Sequence, residues 1–463
     1  MNSKRNSTRI GSDLPFVTDP ATDLRGRRVT VMGLGLFGGG AGAARWLVRQ
    51  GAQVVVTDLK REDELRETVH ALRDLDIDWR LGGHREEDFR RADLVLVSPA
   101  VPLDSPWLRM ARALDTEINL FFKLCRSRRL IGVTGSNGKT TTCAIIHAAL
   151  PGSHLGGNFG GSLLGELPSI GEEDVVVLEL SSFQLERLGM IGRSPHVSVI
   201  TNLTPNHLDR HADMAEYGEA KRQIVAHQRP WDTQVLNADD PVARLLRGPG
   251  RTLTFSLTGS ADAMFDGEAI RLRGERIDIR RRKLLGSFNV ANLMAAGLAV
   301  WAIQKGRLGA HAERALNDFA GVEHRLEFVA DVGGVRFFND SIATNPESTI
   351  AALGALPGPV LLILGGYDKK LPFETLGREA QGRPVKFAAL FGQTAAALDS
   401  VLGGVPRETV GDLAAAVRAC LARARPGDTV VLSPACASFG MFRNFAERGA
   451  IFKSIVRALS SAA

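Results

Sequence analysis

The chain has 463 residues, enough for roughly two to four domains with full-sized cores. Apolar residues at 44% and charged residues at 23% are ordinary globular values and exclude a largely disordered chain. The net charge of +6 is mild, and Arg is scattered among Asp and Glu without basic runs interleaved with aromatics; a phosphorylated small substrate accounts for it, and no nucleic-acid partner is expected.

Cys125, Cys143, Cys420 and Cys436 show neither C-x-x-C pairing nor zinc spacing, which fits a reduced cytoplasmic setting. Residues 1–24 are polar, carry Pro15 and Pro20, and read as a disordered leader with no signal-peptide core. No run is long enough to span a bilayer, so a soluble protein without membrane insertion is expected.

Arg28 to Met32 reads as a strand, followed by Gly33-Leu34-Gly35-Leu36-Phe37-Gly38, a G-x-G-x-x-G. A helix over 41–49 and a strand over 53–57 ending at Asp58 complete a βαβ unit. Such a unit holds a diphosphate at the helix start and a sugar hydroxyl on the acid; NAD or any nucleotide diphosphate fits. A later strand over 92–97 ends in Ser98-Pro99, at the sheet end where doubly wound folds bind ligands.

The stretch LIGVTGSNGKTTTCAII, Leu130 to Ile146, carries the central chemistry. An apolar strand feeds a turn containing Gly135, Asn137 and Gly138, and Lys139, Thr140 and Thr141 open a helix. Free backbone N–H groups and the positive helix end then converge on one point, where a triphosphate fits. Lys139 would neutralise the outer phosphates and Thr140 would ligate Mg²⁺. The strict P-loop has glycine where Val133 stands, so this loop is a variant.

Gly156 to Gly161 forms a polar turn containing Asn158. A buried strand then delivers Glu179, with Ser181 two residues on; a carboxylate at that strand end is placed to hold Mg²⁺. The next strand runs into TNLTPNHLDRH, where His207 is a candidate metal ligand or phosphate contact. Lys221 lies on the following helix. Segments between Thr252 and Lys283 look like hairpins, and Asn289 and Asn292 share one face of the next helix, able to read an adenine edge. Beyond Leu326, strands and helices alternate, and the parallel strands place their polar turns on one rim.

Taken together, TGSNGKTTT, ELSSFQLE, TNLTPNHLDRH, YGEAKRQI, NADDP, SFNVANLMAA, VEHRLEF, NDSIATNPEST and LSPACASFGMFRNF resemble the Mur ligases, specifically their glutamate-adding branch, over nearly everything after residue 24. The resemblance implies an α/β protein of three domains: a Rossmann-like one for a UDP moiety (25–125), a central P-loop ATPase domain (126–325) and a C-terminal Rossmann-like α/β domain for the amino acid (326–463). It implies an ATP-dependent, ADP-forming ligase of peptidoglycan precursor synthesis. Glutamate, D-Glu first, is added to UDP-N-acetylmuramoyl-L-alanine through an acyl phosphate; L-Glu or another acidic amino acid is the alternative.

The same resemblance assigns residues. Lys139, Glu179, His207 and Lys221 would be catalytic, with Thr140, Glu179, His207 and a carbamylated Lys221 serving two Mg²⁺ ions. Asn289, Asn292, Arg325 and Asp340 would join the loop in holding ATP. Gly33, Gly35, Leu36, Phe37, Asp58, Ser98, Asn158 and Ser181 would hold the UDP substrate, and Thr344, Lys369, Ser438 and Phe445 the incoming amino acid. A monomer is expected. Two departures stand out. Ile342 occupies the lysine position of Asp-Ser-Lys-Ala-Thr, removing a charge that Lys369 and Lys370 would have to supply. Phe37 replaces a threonine hydroxyl beside the diphosphate.

Folylpolyglutamate synthase shares the central loop but lacks the leading G-x-G-x-x-G domain. An NAD oxidoreductase leaves the P-loop unexplained, and a non-catalytic binding protein would have lost Lys139, Glu179, His207 or Lys221, all present here.

Overall fold

A computed structural model describes residues 14–18, 23–34, 39–204, 210–284, 286–356, 358–368 and 371–462. The chain divides into two compact units, one holding 1–282 and 287–317, the other 283–286 and 318–463.

The first unit contains two sheets. The leading one is five-stranded, in the order Ile77–Leu81, Gln53–Asp58, Arg28–Met32, Leu94–Val97, Leu114–Asp115, with every pair parallel. Its three central strands, Gln53–Asp58, Arg28–Met32 and Leu94–Val97, are rich in valine and leucine and mostly buried, as strands covered on both faces require. Part of the expected disordered leader belongs to this sheet instead. Phe16 bridges Leu114, the Val17 N–H donates to the Leu114 carbonyl (2.9 Å), and Leu14 and Phe16 pack on the apolar cluster around Leu114. The apolar pair outweighs the polar composition around it.

The second sheet has nine strands, in the order Glu275–Asp278, Ala269–Leu272, Ala263–Phe265, Arg251–Ser256, Thr233–Asn237, Val197–Ile200, Arg129–Thr134, Val175–Glu179, His154–Gly157. The hairpin reading of 252–283 holds only for its last part. Arg251–Ser256 and Ala263–Phe265 continue the parallel sheet, and antiparallel pairing starts at Ala269–Leu272. One apolar core runs through both sheets of this unit, from Leu24 and Val29 to Leu236 and Leu246.

The second unit has a six-stranded sheet, in the order Glu327–Val332, Val335–Asn339, Thr429–Leu432, Val360–Gly366, Val385–Gly392, Arg407–Thr409. All pairs are parallel except the first. Their carboxyl ends, with the turns after Asn339, Gly366 and Leu432, therefore share one rim. Among the described residues no helix is long and apolar enough to cross a membrane.

Candidate active site

Strand Arg129–Thr134 ends in Gly135, Ser136, Asn137 and Gly138, and helix Lys139–Ala149 begins directly after, with no acidic residue in its first turn. Glycine is required at both bends. Gly135 has φ +149°, and a Cβ there would lie 1.9 Å from Thr201 Oγ1; Gly138 has φ +82°, and its Cβ would lie 2.4 Å from Asn292 Oδ1. The loop is clamped by the neighbouring strand's exit. Ser136 N–H donates to the Asn202 carbonyl and Asn137 N–H to Asn202 Oδ1 (each 2.9 Å), while Thr201 Oγ1 donates to the Asn137 carbonyl (2.6 Å). The turn is thus held in shape at the positive end of a helix, where phosphate is favoured.

Lys139 Nζ folds onto the Gly135 and Ser136 carbonyls (2.9 and 3.0 Å). Thr140 is buried and Thr141 half-buried in the same helical turn. Lys221, from helix Met214–Ala226, reaches the same loop; its Nζ donates to the Gly135 carbonyl (2.9 Å) and Thr134 Oγ1 (3.2 Å) and lies 4.8 Å from the Tyr217 ring centre. Lys221 is 1% exposed. Burial first, then the Lys139 charge, hold its pKa well below the ordinary lysine value, against the pull of Glu179. Tyr217 itself contacts Ser136 Oγ (3.2 Å).

Glu179 ends strand Val175–Glu179, paired in register with Val133 just before the loop. It is 2% exposed; Oε1 accepts from Asn158 Nδ2 (2.6 Å), while Oε2 is buried without a hydrogen-bond partner among the described residues. An unpartnered buried carboxylate oxygen is costly unless a cation faces it, so the donor set here fits a hard divalent ion. His207, expected as a further ligand, lies outside the described residues, as do Gly35, Leu36, Phe37, Lys369 and Lys370.

A cavity of about 750 Å³ opens between the two sheets of the first unit. Gly33, Asp58, Ser98, Asn158 and Ser181, drawn from five separate segments, all line it, together with Lys139 and Lys221. Asp58 accepts from the Leu34 and Lys60 N–H groups (3.0 and 2.9 Å) and so shapes the glycine turn. Helix Gly39–Arg49 follows, and at its second residue, Gly40, a Cβ would lie 2.3 Å from the Leu34 carbonyl oxygen, so helix and glycine turn approach closely there. His84 and Trp107, not anticipated from the sequence, form an edge-to-face wall of the cavity (5.3 Å between centres).

Asn292 faces the loop, its Oδ1 accepting from Thr142 Oγ1 (3.4 Å) and its Nδ2 donating to Asn289 Oδ1 (3.1 Å). Asn292 therefore backs the phosphate turn, and Asn289 accepts from Asn292 behind it.

In the second unit, Arg325 follows His324 at the start of the domain. Asp340, in the set that the resemblance assigns to ATP, is 4% exposed, and its oxygens accept from Leu326 N–H (3.2 Å) and Ser433 Oγ (2.7 Å). It braces the domain interior, and burial lifts its pKa to about 7. Thr344 and Ser438 lie on two turns of the rim and Phe445 opens helix Phe445–Ala462. Arg448, overlooked in the sequence, ties these segments together. Fully buried, it donates from Nε to Ser341 Oγ (3.0 Å), from Nη2 to the Ser341 carbonyl (2.8 Å) and from Nη1 to the Cys436 carbonyl (3.0 Å). Burial lowers its pKa to about 10.

A clamped phosphate loop, two converging lysines and a buried carboxylate, opening on a cavity beside a Rossmann-like sheet, define a P-loop α/β protein that handles phosphorylated ligands. Residues 27–119 match the Mur ligase MurD-like N-terminal domain, 133–300 the Mur ligase middle domain, and 324–436 the Mur ligase glutamate ligase domain. The chain belongs to the Mur ligase family. It is 43% identical to the UDP-N-acetylmuramoylalanine–D-glutamate ligase of Roseiflexus sp. (strain RS-1), with 94% of this chain and 100% of that protein covered. Identity to the enzyme of the same name from Symbiobacterium thermophilum is 41%, covering 94% and 98%. Among solved structures, the Thermotoga maritima UDP-N-acetylmuramate-alanine ligase shares the fold at TM-score 0.56 and 18% identity, covering 94% and 100%. The Thermotoga maritima MurF ligase, solved with ADP, does so at TM-score 0.52 and 18% identity, covering 98% and 99%.

Proposed function

We propose that the protein is an ATP-dependent, ADP-forming ligase that joins D-glutamate to UDP-N-acetylmuramoyl-L-alanine. The observation that carries this reading is the meeting of Lys139 and Lys221 on the Gly135 carbonyl, at the inner end of a cavity sized for a nucleotide-linked sugar.

A carboxylate cannot be attacked by an amine until an oxygen is made a leaving group. The γ-phosphoryl group of ATP, held in the Gly135–Thr140 nest, passes to the alanyl carboxylate to give an acyl phosphate; the glutamate amine then attacks and phosphate departs. Lys139 offsets the repulsion between the two anions as they approach. Mg²⁺, when bound, supplies further charge neutralisation, with Thr140, Glu179, His207 and a carbamylated Lys221 as holders of two ions. A buried lysine of depressed pKa suits that modification, because only the neutral amine adds to CO₂. Asn289, Asn292, Arg325 and Asp340 are the further nucleotide contacts in this reading, and Thr344, Lys369, Ser438 and Phe445 hold glutamate. The enzyme acts as a cytoplasmic monomer; among the described residues the four cysteines form no disulfide, in keeping with a reducing compartment.

The decisive assay is orthophosphate release with Mg²⁺, ATP and UDP-N-acetylmuramoyl-L-alanine over a panel of D- and L-amino acids. Release dependent on D-glutamate is expected. No release with any amino acid would end this reading, and preference for L-glutamate would move the acceptor assignment to the alternative that Ile342 raises.

A further inference from the structure

Glu117 has no part in the chemistry described so far, yet it lines the same cavity. It opens helix Glu117–Leu124, capped by Thr116, whose Oγ1 accepts from the Asn119 N–H (3.1 Å). Ser162, on the turn that follows Asn158, donates through Oγ to Glu117 Oε1 (2.6 Å). Ser162 is itself pressed against the first turn of the glycine-rich helix, where a Cβ on Gly42 would lie 2.6 Å from its own Cβ. One carboxyl oxygen is thus fixed from the central sheet's side. The side chain is half-buried and borders the cavity.

An ionised carboxylate here would repel a diphosphate. Burial raises the Glu117 carboxyl to about 7, opposed only by the Ser162 hydrogen bond. The helices and turn packed against its own carry charges that are engaged elsewhere. Arg45 and Arg49 act on Asp74, Arg187 pairs with Glu186, and Glu166 pairs with His154. Across the cavity, Lys139 and Lys221 are turned onto the Gly135 carbonyl. A neutral acid whose Oε1 accepts from Ser162 has its O–H on the other oxygen, a donor that a ligand in the cavity can use.

We propose that Glu117, anchored by Ser162, is a substrate-positioning residue that donates a hydrogen bond to an acceptor oxygen of the diphosphate-linked sugar. This rests on the ligase reading for the identity of the ligand, but the donor role is testable by binding alone.

The test is titration calorimetry of the full-length protein with UDP and with UDP-N-acetylmuramoyl-L-alanine, alongside steady-state kinetics. Glu117→Gln keeps the acceptor for Ser162 and puts an N–H₂ where the O–H was, so affinity near pH 7 is expected to stay within about twofold of the unmodified protein. Glu117→Ala is expected to weaken binding about tenfold, the loss of one hydrogen bond to a charged or polar acceptor, and to raise KM for the UDP substrate while leaving KM for ATP unchanged. Loss with UDP itself puts the acceptor on the diphosphate, and loss only with the full substrate puts it on the sugar. Between pH 6 and 8.5 the unmodified protein should lose affinity as the acid ionises, and Glu117→Gln should not. That profile decides the matter if Glu117→Ala fails to fold. Equal affinity in Glu117→Ala, or the same pH profile in Glu117→Gln, would overturn the proposal. A protein that binds the UDP ligands as expected but releases no phosphate would instead refute the ligase reading and leave the donor role standing.

Discussion

Lys139 and Lys221 come from different helices and donate to one oxygen, the Gly135 carbonyl, each at 2.9 Å. Two ammonium groups on a single neutral acceptor repel, and the more buried of the two is the one that gives up its proton. Lys221 is that one. Its neutral amine can add to CO₂; the nitrogen bonds the carbon, a proton leaves, and the neutral amine becomes an anionic carbamate that no longer competes with Lys139. Lys221→Ala is expected to lower turnover by about 10²–10³-fold, with partial recovery in a short-chain carboxylate such as acetate. Carbon-13 NMR under labelled CO₂ should show a carbamate resonance that this variant lacks. Lys139→Ala removes the neighbouring charge, so the Lys221 pKa should rise and the carbamate signal at neutral pH should weaken along with ATP binding. A Lys221→Ala enzyme with full activity would contradict the assignment.

Glu179 presents the opposite imbalance, a buried anion with one oxygen unpartnered. Glu179→Gln keeps the bond from Asn158 and exchanges a buried charge for a cheaper neutral amide. Without Mg²⁺ the variant should therefore melt at the same temperature or higher than the unmodified protein. With Mg²⁺ and ATP its turnover should fall about a hundredfold or more, because the ion loses an anionic ligand. Thermal melts with and without Mg²⁺ separate the two effects; a variant that is both less stable without the ion and fully active with it would show that the carboxylate serves packing alone.

These relationships mark where the sequence is transparent. Leu130 to Val133 before Gly135-Ser136-Asn137-Gly138, and Val175 to Leu178 before Glu179, announce strands, a turn and site residues by local pattern alone, and the structure places them on adjacent parallel strands. Thr201 and Asn202 clamp the loop from 64 and 65 positions away, and nothing local distinguishes them from other polar turn residues. Phe16 reads as a stray aromatic in a polar leader until Leu114 is seen beside it. Arg251–Ser256 has the composition of a hairpin strand, and only its neighbour Thr233–Asn237 makes it parallel. The burial of Asp340 and Arg448 is a property of the packed domain that no local pattern announces.

Arg448 offers a test of how the rim of the second unit is held. Its guanidinium bonds Ser341 through both hydroxyl and carbonyl and the Cys436 carbonyl as well, so one side chain fixes the turns leading to Thr344 and Ser438. Arg448→Met keeps much of the volume and leaves those acceptors buried without donors. A loss of about 3 kcal/mol is expected, together with a raised KM for glutamate and an unchanged KM for ATP. Denaturant unfolding and steady-state kinetics measure the two. An unchanged glutamate KM in a destabilised variant would restrict Arg448 to holding the fold.

Asp340 predicts a pH dependence of stability with a definite sign. Burial holds its carboxyl at about 7, opposed by Ser433, Leu326 and the charge of Arg325, whereas in the unfolded chain an aspartate titrates near ~4. Between those values the folded protein carries a proton that the unfolded chain has lost. Its contribution to stability is therefore greatest below about pH 4, declines as pH rises, and levels off above about 7, with a slope of at most about 1.4 kcal/mol per pH unit. Asp340→Asn is nearly isosteric. The amide oxygen can still accept from Leu326, and the amide nitrogen can donate to Ser433, whose hydroxyl is then directed to Thr349 Oγ1, already 3.0 Å away. The difference in urea midpoint between Asp340→Asn and the unmodified protein should consequently grow from pH 5 to pH 8 in favour of the variant. Other titrating groups are common to both proteins and cancel in that difference, so parallel pH profiles would mean that Asp340 carries its charge in the folded state and that Ser433 and Leu326 stabilise it as an anion.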